Sequence, residues 1–381
     1  MSNKILFITA RADVGGGPQH LLDLLYSFKD ENIIPYVASP DEEPYAKHFK
    51  KLAFKYIKIP KRKFTLGTFW RIFKFLRSEN IHLIHSHGRG AGMYSRLLTL
   101  SGLGWFFKFN IIHTFHGAHK ENSLMGRIKF MIDWLLAPFS HKYICVSNSE
   151  KEKILKFRFA GPKKISVINL GVDVQNIKNQ SQKTSLSEAK EKFGIRTKKS
   201  IVGYLSRLSY QKGIDILLLF IARWKKQVND LPFHLYVAGE GEKRDSLTVL
   251  TNELDIKEDV TFLGLVKEPT QFLNCLDLYV SSSRGEGLPY SILEAMTLSI
   301  PCLLSDVTGH QNFKSDKAAE FFSIDDYEDF KTKATKLLET PSRMDHLKKA
   351  GLSTILNHYT INHMSHKTLA LYDEYNEKTI E

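Results

Sequence analysis

Short apolar runs of strand length alternate along almost the whole chain with stretches of helical spacing, and nothing else in the sequence narrows the possible folds as far. In the first half the strand-like runs are Lys4–Thr9, Ile33–Ala38, Tyr56–Ile59, His82–His85, Asn110–Phe115, Tyr143–Val146 and Ile165–Ile168. Helical spacing fills Pro18–Lys29, Thr68–Glu79, Ala91–Leu100, Gly126–Leu136 and Ser149–Phe157. Such alternation implies a mostly parallel sheet with helices on both faces. A polar stretch, Gln175–Ser187, interrupts the pattern and reads as an interdomain linker. Strands then resume at Ile201–Leu205, Phe233–Ala238, Val260–Leu263, Leu278–Ser281 and Cys302–Ser305, separated by helices at Ile214–Lys226, Lys243–Glu253, Tyr290–Thr297 and Tyr327–Leu338. The expectation is an α/β protein of two Rossmann-like, doubly wound domains, 1–174 and 188–358, facing each other across a cleft. Residues 359–381 would form a last helix packing back on the first domain, with Tyr359 and Tyr372 as apolar anchors.

The 381 residues suffice for two cores, and 43% hydrophobic with 25% charged residues is ordinary globular composition. No apolar run approaches the ~20 residues that span a bilayer. The opening MSNKILFITA runs directly into a strand pattern and lacks the layout of a signal peptide, so a cytoplasmic protein is expected. Cys145, Cys275 and Cys302 sit in apolar runs with no metal or disulfide spacing, as buried free thiols would. The net charge of +13 is unevenly spread. Residues 1–180 hold 28 Lys/Arg against 13 Asp/Glu, and the remainder holds 26 against 28. A basic half implies an anionic partner: nucleic acid, a membrane surface or a phosphorylated substrate.

Residues 281–296, SSSRGEGLPYSILEAM, carry two carboxylates, Glu286 and Glu294, on either side of a turn built from Gly285, Gly287 and Pro289. The apolar Leu276–Val280 precedes the turn, so the segment reads strand, turn, helix, with Glu294 in the first helical turn. Past Gly287, the backbone N–H groups of Leu288, of Tyr290 after Pro289, and of Ser291 would be the donors of a helix N-terminus, a natural anion site. An E-x7-E pair standing alone would more simply be a capping turn. GYLSRLSYQKG places Arg207 and Lys212 just past a strand end, where a planar fork and a point charge suit a diphosphate. Gly15, Gly16 and Gly17, followed by Pro18, close the first strand and open the first helix; alone they fit a tight turn as well as a ligand loop. Six histidines lie between 82 and 119: His82, His85, His87, His113, His116 and His119. A metal site is the sharp reading, but no carboxylate or cysteine accompanies them, so no metal is expected. His116, before Gly117 at a strand end, is the one expected in the cleft, neutral and able to donate one hydrogen bond to a sugar.

With VINLGVD, GYLSRLSYQKG, VAGEGEKRDSL, VTFLGLV and SSSRGEGLPYSILEAM following the opening glycine loop in this order, the chain resembles glycosyltransferase family 4, the retaining nucleotide-sugar enzymes of GT-B fold. The resemblance spans nearly the whole chain and is strongest from Val167 to Gly309. It implies that Arg207 and Lys212 grip the donor diphosphate and that the backbone of Leu288–Tyr290 caps it. It further implies that Glu294 holds the ribose hydroxyls, Glu286 contacts the donor sugar, and Gly264, Leu265 and Val266 flank the base. Gly16 and Gly17 would close over the phosphate, and His116 would touch the sugar. No metal or other cofactor is implied, the nucleotide sugar, expected to be a UDP-sugar, being a co-substrate. Three positions depart from the family pattern. Ser299 stands where a glycine is usual, Asn312 where Glu is frequent, and Asn169-Leu170-Gly171-Val172-Asp173 replaces a shorter N-G-V-D turn.

A nucleotide-sugar epimerase of the same architecture is the nearest rival reading, and it predicts turnover without an acceptor. A nucleic-acid-binding protein is the rival from another class, raised by the basic half, but no recognised nucleic-acid motif is present. The expected acceptor is instead a lipid-linked or polysaccharide intermediate of a cell-surface glycan such as lipopolysaccharide, O-antigen or capsule. Residues 61–77, KRKFTLGTFWRIFKFLR, interleave Lys and Arg with Phe64, Phe69, Trp70, Phe73 and Phe75 and contain no acid; 100–109, LSGLGWFFKF, are again aromatic. These stretches predict peripheral binding to the anionic inner face of the cell membrane.

Overall fold

The computed structural model describes residues 3–116 and 124–380, of which 376–380 are described by backbone alone. Gly117 and His119 lie outside the described residues. The chain forms two compact units, one of Met1–Gly171 with Ile361–Glu381, the other of Val172–Thr360.

The first unit holds seven strands, β1 (Asn3–Thr9), β2 (Ile33–Ser39), β3 (Lys55–Lys58), β4 (Leu83–His87), β5 (Asn110–Thr114), β6 (Lys142–Cys145) and β7 (Ile165–Val167). All pair in parallel, in the order β3-β2-β1-β4-β5-β6-β7. The second unit holds β8 (Ser200–Leu205), β9 (Phe233–Ala238), β10 (Val260–Gly264), β11 (Leu278–Ser281), β12 (Cys302–Ser305) and β13 (Glu320–Phe322). These too are parallel, in the order β10-β9-β8-β11-β12-β13. Strands covered on both faces must be apolar throughout, which is why Ile5, Leu6, Phe7 and Ile8 are all fully buried. In each sheet the strand order reverses beside the first strand of its unit, between β1 and β4 and between β8 and β11. At such a reversal the flanking loops part and leave a crevice at the carboxyl ends.

Residues 175–187 are not a structureless linker. Most of them form the helix Val174–Ser181, whose Asp173 cap accepts the Asn176 N–H at 2.9 Å. The next helix, Leu186–Lys192, opens with a capping box between Ser185 and Glu188. Each buries little apolar surface (Ile177 and Ser181 in one, Ala189 in the other), so neither has a hydrophobic period to read. The chain instead passes between units at Gly171–Val172 and returns at Thr360–Ile361. The last helix, Ile361–Ile380, sets Met364, Leu371 and Tyr372 into the core around β1 and the helix Gly16–Ser27. Tyr359 belongs to the second unit, 5.6 Å from the Phe313 ring. The three cysteines are buried free thiols. Among the described residues no helix is long and apolar enough to cross a membrane.

Candidate active site

At the reversal in the second sheet, β11 runs into the turn 282–289 and then the helix Tyr290–Thr297. Lys212 reaches the turn from the short 3-10 segment Tyr210–Lys212 that follows β8. Its Nζ lies 2.6 Å from Glu286 Oε1, an oxygen that also accepts from Ser283 Oγ at 2.6 Å. The Tyr204 hydroxyl donates to the Lys212 carbonyl at 2.6 Å and sits 3.0 Å from Ser283 Oγ. His310, fully buried, places Nδ1 2.9 Å from the Ser305 carbonyl and Nε2 3.4 Å from Ser281 Oγ. Burial alone would raise the Glu286 carboxyl, but the Lys212 ammonium, His310 and the two hydrogen bonds outweigh it and hold it below the usual carboxylate range. Burial opposes the charge on Lys212 in the same way, and Glu286 restores it. Burial also dominates at His310, against the pull of Glu286, and keeps that ring neutral at pH 7. The result is a largely buried ion pair, its side chains 22% and 11% exposed, inside a ring of hydroxyls.

Two glycines fix the backbone beneath it. A Cβ on Gly213 (φ +62°) would fall 2.0 Å from the Ser282 carbonyl oxygen, and one on Gly309 (φ +94°) 2.6 Å from that of Glu286. No side chain fits at either position, so both loops press directly on the carboxylate turn. The Glu286 N–H donates to the Thr308 carbonyl at 2.9 Å, and Arg284 forks onto both Asp215 oxygens at 2.9 and 2.7 Å.

Arg207 stands in a different pair. It is exposed, with its Nη2 2.9 Å from Glu242 Oε2, and does not share the Lys212–Glu286 network. Glu294 lies in the second turn of its helix, not the first, because the helix begins at Tyr290 with Pro289 as a cap that offers no side-chain acceptor. Gly287, Leu288, Pro289 and Tyr290 do lead into the helix N-terminus; Leu288 is buried, and the Pro289 carbonyl takes the first in-helix bond, from Ile292 at 3.2 Å. Gly264 (φ +71°) ends β10, and its carbonyl accepts the Gly239 N–H at 2.7 Å. Leu265 is then 62% exposed and Val266 half-buried, an apolar lip at the sheet edge.

In the first unit the loop after β1 leads through Gly16 and Gly17 into the helix Gly16–Ser27. A Cβ on Gly17 would be 3.6 Å from His116 Cδ2, so that imidazole lies over the glycine loop. His116 follows β5 in the left-handed region, φ +57°. Its Nε2 is 3.3 Å from His20 Nδ1 and 3.2 Å from His87 Nδ1. Burial, then the nearby Arg11 charge, lowers the His116 pKa to about 4, so the ring is neutral at pH 7. The remaining histidines divide by partner. His85 bonds Tyr372 and Thr114, His113 lies 2.8 Å from Ser86 Oγ, and His82 sits 3.1 Å from the Phe107 carbonyl.

Two family models cover most of the chain: Glycosyltransferase Family 4 matches residues 14–176, and Glycosyl transferases group 1 matches 185–354. The chain belongs to glycosyltransferase family 4. Among its relatives, the Escherichia coli UDP-Gal:alpha-D-GlcNAc-diphosphoundecaprenol alpha-1,3-galactosyltransferase is 27% identical over 63% of this chain and 61% of its own. The E. coli O-antigen biosynthesis glycosyltransferase WbnH is 28% identical over 87% of this chain and 93% of its own. The Anabaena Alr3699/HepE structure in complex with UDP and glucose superposes with a TM-score of 0.82 at 16% identity, covering 98% of this chain and all of that one. The fold of this family 4 enzyme is accordingly GT-B.

The departures from the family pattern have local consequences in this glycosyltransferase. Asn312 donates its side-chain amide to the Gly309 carbonyl at 2.7 Å and so braces the loop beneath Glu286. Ser299 occupies a left-handed position, φ +57°, which a glycine would adopt without strain. Tyr204, Ser283, His310 and Gly309 complete the ion-pair site; Tyr204 and Ser283 fall inside the GYLSRLSYQKG and SSSRGEGLPYSILEAM motifs, but none of the four carries a fixed charge that would have singled it out. His20 was equally silent, although it sits one helical turn beyond Gly16 and therefore on the same face.

The aromatics of 61–77 behave differently from the membrane-facing reading. Phe69 packs into the core, Phe64, Phe73 and Phe75 lie partly buried against it, and Lys61 and Arg62 pair with Asp13. Helical periodicity explains this: on Leu66–Glu79 the phenylalanine rings fall on the inward face, and of its large apolar side chains only Leu66 and Trp70 are exposed. The exposed apolar side chains cluster elsewhere. Trp105 and Phe106 are 87% and 80% exposed, and the helix Leu124–Leu136 exposes Leu124, Met125, Met131, Trp134 and Leu135. Both segments pack against the helix Arg89–Leu100.

Proposed function

We propose that this enzyme is a retaining glycosyltransferase that moves a hexosyl or N-acetylhexosaminyl group from a UDP-sugar to a lipid-linked saccharide acceptor of a cell-surface glycan. The buried Lys212–Glu286 pair at the β8/β11 reversal carries the reading. It supplies a cation held ready by a carboxylate, beside a helix N-terminus, where a leaving diphosphate gains charge. In this reading Lys212 and the backbone N–H groups of Gly287, Leu288 and Tyr290 meet the diphosphate, with Pro289 setting the turn, and Arg207 leaves Glu242 to complete the grip. Glu286 turns to the donor sugar, Glu294 holds the ribose hydroxyls, and the Gly264–Val266 lip flanks the base. On the first unit Gly16 and Gly17 close on the phosphate, and His116 donates to the sugar. Two cations and a helix end together take the part a divalent ion plays elsewhere, so transfer itself is metal-independent. The acceptor hydroxyl attacks the anomeric carbon from the face the diphosphate leaves, and a phosphate oxygen takes its proton.

The name of the galactosyltransferase relative, with its diphosphoundecaprenol acceptor, and the UDP in the Anabaena structure support the donor and acceptor classes. Membrane association is part of the proposal, now through Trp105, Phe106 and the helix Leu124–Leu136 with its Arg127 and Lys129, assisted by the basic first unit. The test is a panel of nucleotide sugars screened by thermal shift, followed by transfer of the best ligand to a lipid-diphosphate saccharide. A UDP-sugar should raise the melting temperature most, and product should form only with acceptor present. Turnover of the nucleotide sugar without acceptor would support the epimerase instead.

A further inference from the structure

His20, His87 and His116 come from three different elements: the helix after the glycine loop, the end of β4, and the residue after β5. Their ligand nitrogens all lie within 4.8 Å of one another, and His20 and His87 are almost completely buried. The two short separations, 3.3 and 3.2 Å to His116 Nε2, match the ~3.3 Å between neighbouring ligands of a tetrahedral ion with metal–nitrogen bonds of ~2.0–2.1 Å. Hydrogen bonding alone serves this junction poorly. One proton on His116 Nε2 is directed well at only one of the two Nδ1 atoms it faces, whereas an ion satisfies all three lone pairs together. We infer that His20, His87 and His116 form a binding site for a late divalent transition ion, zinc being the type, on the first unit. Three imidazoles select Zn²⁺, Ni²⁺ or Cu²⁺ over Mg²⁺ and Ca²⁺, which require oxygen ligands. A fourth position remains for water.

The site bears on activity through one shared atom. An ion on His116 Nε2 prevents that nitrogen from donating to a sugar, so zinc should inhibit transfer; this consequence, unlike the site, rests on the proposed role of His116.

The site is tested on the untagged full-length chain by titration with Co²⁺ and Zn²⁺. The expected result is one ion per chain with the intense visible absorption of tetrahedral Co²⁺, and a zinc-induced rise in melting temperature that Mg²⁺ does not produce. His20→Asn and His87→Asn should each weaken binding at least tenfold, while the exposed His366→Ala leaves it unchanged. Binding that is not one-to-one, or that survives both substitutions, overturns the site. Should a variant fail to fold, X-ray absorption on the zinc-loaded wild type decides: three imidazole ligands support the assignment, and fewer reject it. Ion binding without loss of transfer would reject the sugar role of His116 and leave the metal site standing.

Discussion

The two units place their sites at the same point of the same topology and fill them with opposite chemistry. In the second unit the reversal beside β8 holds a buried ion pair, Lys212–Glu286, ringed by Tyr204, Ser283 and His310. In the first, the reversal beside β1 holds neutral imidazoles over a glycine loop. The crevice is a property of parallel winding, whereas its chemistry belongs to the residues on the loops. A diphosphate that gains charge as it leaves calls for cations kept ionised against burial. A sugar hydroxyl calls only for donors and acceptors.

The largest difference should emerge when a cation is removed from each environment. Lys212→Ala strands Glu286 as an unpaired, largely buried carboxylate, which should cost about 3 kcal/mol, the low end for a buried pair because both side chains keep some solvent, and it should also abolish transfer. Arg207→Ala breaks only an exposed pair with Glu242, so it should abolish transfer while leaving the melting temperature nearly unchanged. Thermal melts and transfer assays on the two variants check this. Equal stability losses would mean that the ion pair is not the buried element described.

Acid should separate the units next. His116 titrates near pH 4 in the folded chain instead of 6.5, and His20, His85, His87 and His113 are lowered in the same direction by burial. Above pH 6.5 neither state carries these protons and the first unit keeps its full stability. As pH falls from 6.5 towards 4 the unfolded chain takes up protons that the folded one refuses, so stability drops. Glu286, whose folded value lies below 4.5, contributes fully above 4.5 and loses that contribution only as pH falls from 4.5 through the lower folded value. In the second unit His310 and His234 share the imidazole trend, fewer than in the first. Hydrogen exchange at pH 5 should therefore show the sheet β1–β7 opening before β8–β13; the reverse order would break the comparison.

Within the second unit the two carboxylates should divide by kinetics. Glu286→Gln weakens the hold on Lys212 and should lower kcat about a hundredfold, whereas Glu294→Gln should raise the donor KM roughly tenfold with kcat nearly kept. Identical effects on both parameters would remove the distinction between the two roles.

Legibility of the sequence followed burial. Strands β8, β9, β11 and β12 are continuous apolar runs and could be read almost to the residue, because both faces are covered. The helices Tyr45–Leu52 and Val174–Ser181 and the three-residue β13 could not, having too few buried side chains to leave a period. Charged site residues announced themselves in order along the chain. The hydroxyls and imidazoles that complete the sites did not, since Tyr204 and His20 resemble ordinary core residues until tertiary structure supplies their partners. The aromatic run 61–77 misled for the same reason: composition shows rings and cations, but only the helical face decides which of them meets solvent.

The smallest effect concerns backbone strain, which the two units use differently. His116 and Ser299 are both non-glycine residues in the left-handed region, at φ +57°. That conformation crowds Cβ against the carbonyl, a penalty of about 1 kcal/mol that glycine avoids. His116 accepts it at the point where its ring must lie over Gly17. Ser299 accepts it in the connection between the helix Tyr290–Thr297 and β12, where its amide bonds the Met296 carbonyl at 3.0 Å and no side-chain hydrogen bond of its own holds the position. Ser299→Gly should therefore raise stability, by less than the strain relieved because the unfolded chain also gains freedom, a net ~0.5 kcal/mol. Transfer should be unaffected. His116→Gly should relieve the same strain and yet lose transfer, so the pair of variants distinguishes strain retained for a ring from strain retained for nothing. Denaturant unfolding of both, read beside turnover, checks the contrast, and a Ser299→Gly variant that is less stable, or that loses activity, would show that the serine has a role beyond its backbone.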